Sequence, residues 1–135
     1  MFNYIVGYLG AAVVFCLMDF LWLGFIAKNF YRSRMGSLML AEPKLIPAAA
    51  FYILYLLGLL VFAILPAVRA QNFLIAASLG ALLGLIAYSC YDLTNLATLK
   101  GWSTSLSLVD IAWGIIVSAS ASSAGYWVIK MLAKN

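Results

Sequence analysis

Histidine is absent from all 135 positions. Imidazole ligation of heme, the usual zinc sites and the carboxylate–histidine di-iron pattern are therefore not expected, and the residues name no other cofactor or metal. Charge is nearly as scarce: Asp, Glu, Lys and Arg make up 9% of the chain against 67% hydrophobic residues. With a mean hydropathy of +1.08, this lies far from soluble domains, which carry roughly 25% charge. Cysteine occurs only at Cys16 and Cys90. Both lie inside apolar runs and read as small filler rather than as a disulfide or ligand pair. The net charge of +4 points to no nucleic-acid partner, because the bases gather at the ends of apolar runs, where lipid headgroups lie.

What is present is hydrophobic length. Four runs, approximately 4–27, 46–68, 72–98 and 104–130, are each long enough to cross an apolar slab that needs about 20 helical residues. The composition predicts an all-α integral membrane four-helix bundle with antiparallel neighbours, a single transmembrane domain over 1–135 with the lipid bilayer as its solvent. The first run reads as a retained span rather than a cleaved signal: no basic residue precedes it, it holds Asp19 and Trp22, and no small-residue cleavage pattern follows.

The connections add detail. Lys28, Arg32, Arg34, Lys44 and Lys100 lie in the first and third, against Arg69, Lys130 and Lys134 in the second and at the C-terminus. That bias would place the first and third connections in the cytoplasm and both termini outside. The first connection mixes these cations with Phe30, Tyr31, Met35, Leu38, Met39 and Leu40. This suits either a short interfacial segment, with Arg32, Arg34 and Lys44 on headgroups, or a plain loop anchored by aromatics. Pro47 fits the first turn of the second span, and Pro66 stands where it could close it. The short second connection predicts a helical hairpin. Gly80 with Gly84, and Gly114 with Ser118 and Ser122, allow close helix contact, so the fourth span packs centrally or against another copy.

Three of the four acids, Asp19, Asp92 and Asp110, fall inside the spans. A carboxylate at membrane depth costs at least about 3 kcal/mol unless protonated, paired or wetted, and it normally faces a bundle interior. Each lies about 12 to 15 Å along its helix from the same membrane face at 1.5 Å per residue. Turned inward, they would form one acidic layer, in which mutual repulsion leaves at least one protonated near neutral pH unless a cation sits among them. The spacing D-x-x-W occurs twice, at Asp19 with Trp22 and at Asp110 with Trp113, and would aim each acid and its indole the same way. Tyr88, Tyr91, Thr94 and Asn95 surround Asp92, and Tyr52 and Tyr55 fall at comparable depth. These groups can satisfy buried carboxylates, either as a functional cluster or as interhelical glue.

The D-F-L-W-L-G stretch at Asp19 to Gly24, F-Y at Phe51 and Tyr52, and L-P-A at Leu65 to Ala67 belong to a larger pattern. With Y-D-L-T-N-L-A-T at Tyr91 to Thr98, Trp102, and D-I-A-W-G at Asp110 to Gly114, the chain resembles the DUF2177 family of predicted bacterial membrane proteins over nearly its whole length. The resemblance implies a small multi-pass protein of bacterial inner membranes and transfers no established activity or catalytic residue.

Three functions compete. In the first, a binding or transport protein uses Asp19, Asp92 and Asp110 for a proton, a metal cation or an organic cation, with Trp22 and Trp113 lining the site. A homodimer is expected there, because so short a chain encloses little volume. In the second, a lipid-modifying enzyme holds a hard cation on the acids, or uses them as acid and base, and grips a lipid phosphate with Arg32, Arg34 and Lys44. In the third, an accessory or assembly subunit uses the aspartates only to specify packing.

Overall fold

The computed structural model describes residues 1–133, so Lys134, counted above among the terminal bases, lies outside the described residues. Among them, helices long and apolar enough to span a membrane occupy Phe2–Ile26 (α1), Leu45–Ala70 (α3), Phe73–Thr98 (α4) and Thr104–Leu132 (α5). A shorter helix, α2, covers Lys28–Met35 in the first connection. The protein is an all-α, multi-pass membrane bundle. Its outer surface is what a bilayer requires: Val13, Phe20, Leu54, Phe62 and Leu108 are all exposed apolar side chains, a disposition that would aggregate in water.

The centre of the bundle is α5, which packs along both α4 and α1. Small residues set the distance. A Cβ on Gly84 would land on the Gly114 carbonyl oxygen, one on Gly80 would strike Ser122, and one on Gly125 would meet the Gly7 carbonyl at 2.8 Å. The expected four-residue spacings thus do meet one another, and backbone-to-backbone approach replaces the hydrophobic driving force that lipid cannot supply. Phe15, Leu56, Leu59, Leu60, Ile64 and Val117 fill the space where α1, α3 and α5 converge.

Two π-turns interrupt the long helices. One, at Trp22–Ile26, ends α1, with the Ala27 N–H donating to the Trp22 carbonyl at 2.7 Å. The other, at Leu60–Ile64, lies just before Pro66. Pro66 has no N–H to give the preceding turn and its ring crowds that turn's carbonyl. The widened turn absorbs the misfit, and α3 runs on to Ala70 instead of closing at the proline. There Gln71 adopts a left-handed conformation and the Asn72 side chain accepts from the Leu74 N–H at 2.9 Å, which starts α4 in the opposite direction.

The hairpin so formed is V-shaped. From its π-turn onward α3 lies against α4, but its first half, Leu45–Leu59, leaves the α4 backbone and is held to it mainly through side chains. Tyr55 of this half makes a T-shaped contact with Tyr88 of α4, at 6.3 Å between centroids.

Candidate functional site

The open end of that V holds the acids. Asp19 is buried on α1, where α3 and α5 each send it a donor: the Tyr52 hydroxyl to Oδ2, and the Trp113 Nε1–H to Oδ1 at 3.0 Å. Two donors from two helices satisfy a buried carboxyl group for which lipid offers no partner. Asp110 on α5 takes its donor from α2, the Tyr31 hydroxyl at 2.6 Å, and Tyr31 in turn accepts from Trp22 Nε1–H at 3.2 Å.

The pairing is crossed. The repeated D-x-x-W spacing suggests that each acid serves its own indole, yet the α5 indole binds the α1 acid, and the α1 indole reaches the α5 acid through Tyr31. The two indoles stack on each other at 4.5 Å between centroids and 6° between planes. Each therefore covers one of the other's faces, and neither lines the cavity described below. The expected cation site of tryptophan faces is not where these rings are placed.

Asp92 has no exposed surface, and among the described residues neither of its oxygens meets a donor. Full burial without a donor leaves Asp92 on the dry side of the site.

Asp19 and Asp110 also line a common cavity of about 550 Å³, together with Leu23, Phe51, Tyr52, Ala87, Tyr88, Cys90 and Tyr91. It opens sideways between α3 and α4, where Phe51 and Tyr91 are 45% and 54% exposed. No basic side chain is among its lining residues. Of the three acids, then, two share one pocket and the third backs onto it. They do not converge on a point: among the described residues no group of three or more acids or cysteines could hold a metal ion.

The remaining expected residues divide. Tyr52 binds Asp19 and lines the cleft, and Tyr88 and Tyr91 form its α4 wall. Asn95 is half-buried on α4 and is not among the cavity's lining residues. Thr94 is exposed and offers its carbonyl to Thr98. Tyr55 shares a hydrogen bond with Ser118 at 2.6 Å and is not among the cavity's lining residues. Arg32 and Lys44 line a separate groove at the helix ends, whereas Arg34 sits over the Phe30 ring at 5.4 Å.

Tyr31 is the residue that sequence reasoning missed, having counted it among interfacial aromatics. A signal was there: Ala27, Tyr31 and Met35 recur every four residues between the cations of α2, the stripe by which a helix on the membrane surface docks. Burial first, and the bond to Asp110 second, hold its phenol well above the ordinary tyrosine range, so it stays a donor. Phe51 and Leu23 were likewise not singled out, because nothing local marks a wall built from four helices.

Over residues 4–127 the chain matches the model of a family described as a predicted membrane protein, DUF2177. No curated protein and no solved structure matches it.

Proposed function

The chain belongs to the DUF2177 family of predicted membrane proteins, and from that premise we propose that it binds a lipophilic organic cation in the cleft between α3 and α4, in competition with protons. The observation that carries this reading is the lining of one cavity by Asp19 and Asp110 with aromatic rings around them and no base among its walls. Two carboxylates in a low-dielectric wall attract a cation strongly, and tyrosine and phenylalanine faces add to that attraction. A volume of about 550 Å³ falls in the range of small-molecule sites, roughly 300 to 1,000 Å³. A sideways opening suits a solute that partitions into the bilayer before it binds.

Competition with protons follows from charge alone: a proton on either lining carboxylate removes the charge that attracts the cation, so binding should strengthen as pH rises and release protons as it occurs. A single copy encloses the whole cleft, which removes the volume argument for a dimer; a homodimer is not required by this reading. We place the protein in a bacterial inner membrane, as the family pattern implies, with the acid-bearing end toward the cytoplasm.

The test is calorimetric titration of the detergent-solubilised protein with tetraphenylphosphonium across neutral pH. Affinity should rise with pH and fall about tenfold or more in D19N and D110N. Binding indifferent both to pH and to these substitutions would overturn the reading.

A further inference from the structure

At the same end of the molecule lies a second cavity, a groove of about 790 Å³ between α2 and the segment leading into α3. We infer that this groove binds the phosphate headgroup of an anionic phospholipid, independently of whether the acid cleft binds a cation. Three cations line it, Lys28, Arg32 and Lys44, and no acid does, although Glu42 is only two residues from Lys44. Lys28 and Arg32 share a face of α2 by their four-residue spacing. Lys44 arrives from the far end of the connection, because Gly36, at a φ of 56°, ends α2 and lets the chain fold back.

The rest of the lining is apolar. Met35, Leu38 and Met39 stand beside the cations, with Leu38 and Met39 themselves exposed. Free phosphate would use the charges and leave this wall uncovered; a phospholipid would use both, with its phosphate on the bases and its first chain carbons on the wall. The place is right as well, since the groove sits just beyond the ends of α1 and the start of α3, at the level of lipid phosphates. Arg34 does not take part: its guanidinium lies over Phe30 and it is not among the lining residues.

Native mass spectrometry of the full chain in detergent, with phosphatidylglycerol or phosphatidylcholine of matched chains added, tests this directly. Phosphatidylglycerol should bind at least about tenfold more tightly than phosphatidylcholine, and K28Q, R32Q and K44Q should each weaken it about fivefold. R34Q should change nothing, and R32K should retain most of the binding, which separates loss of charge from loss of folding. Equal binding of the two lipids, or a loss in R34Q as large as in R32Q, would reduce the groove to diffuse surface charge and overturn the proposal. Calorimetric titration with inorganic phosphate supplies the last arm. Phosphate bound as tightly as phosphatidylglycerol, with the same dependence on Lys28, Arg32 and Lys44, would mean a soluble anion site and also overturn it.

Discussion

The two halves of the bundle are built on opposite rules. Toward the end where α3 meets α4, glycine and serine bring α4, α5 and α1 into backbone contact and leave no room for a Cβ. Toward the other, α3 swings away from α4, and tyrosine, tryptophan and aspartate take over from glycine, around a cavity of about 550 Å³. The closed half relies on dispersion between close surfaces, which is lost steeply with small displacement. The open half relies on directed hydrogen bonds, which can be exchanged one at a time. A rigid base carrying a polar, adjustable mouth is the arrangement a ligand site needs.

This contrast is broken most severely at the seam. Replacing Gly84 with valine should cost about 3 kcal/mol or prevent folding, since the new side chain meets the Gly114 carbonyl and backbone cannot retreat; unfolding in mixed micelles would read the loss. Should G84V fold with ordinary stability, the closed half is looser than described. In the open half, D19N should leave stability within about 1 kcal/mol, because the asparagine still accepts from Tyr52 or Trp113. Its cation affinity should fall about tenfold or more.

D92N sharpens the comparison within the site. Asp92 is fully buried and is not among the cavity's lining residues, so D92N should change cation affinity far less than D19N or D110N does. Calorimetric titration decides this, and a loss in D92N as large as in D110N would mean that the buried acid also holds the cation. Y31F removes one donor from Asp110 and one acceptor from Trp22, for a loss of about 1 kcal/mol. Because the Tyr31 phenol is held above its ordinary value of 10.0, its contribution is complete below that pH and is lost as pH climbs further. Y31F should flatten that part of the alkaline stability loss. The smallest effect belongs to the seam again: the Ser122 hydroxyl is buried without a partner among the described residues, so S122A should be neutral or slightly stabilising by thermal unfolding.

The fold was largely legible before any coordinates. Hydrophobic length placed each span within a few residues, and the spacing of Gly80, Gly84, Gly114, Ser118 and Ser122 marked surfaces that do touch. Both signals are local, and a bilayer leaves few alternatives to them. The site was legible only in its level. Counting residues from the helix ends put Asp19, Asp92 and Asp110 near one face, but rotation about each helix axis decides what an acid meets, and that depends on neighbours distant in sequence. Hence the crossed indoles and the dry position of Asp92 were beyond reach, and the stripe of Ala27, Tyr31 and Met35 marked a docking face without naming Asp110 as its target. The V-shaped gap escaped as well, because Pro66 suggests a helix end and not a widened turn that lets the chain continue at a new angle.

The exchange of indoles between α1 and α5 restricts how this molecule can work. Turning either helix about its own axis would strip a donor from Asp19 and from the Tyr31 relay at the same moment, so these two helices are interlocked. The first half of α3 is held otherwise: Tyr8 and Tyr52 bond it to α1, Tyr55 bonds it to α5, and the widened turn at Leu60–Ile64 joins it to the rest of its helix. Displacing that arm would break those bonds and still leave the crossed indoles in register.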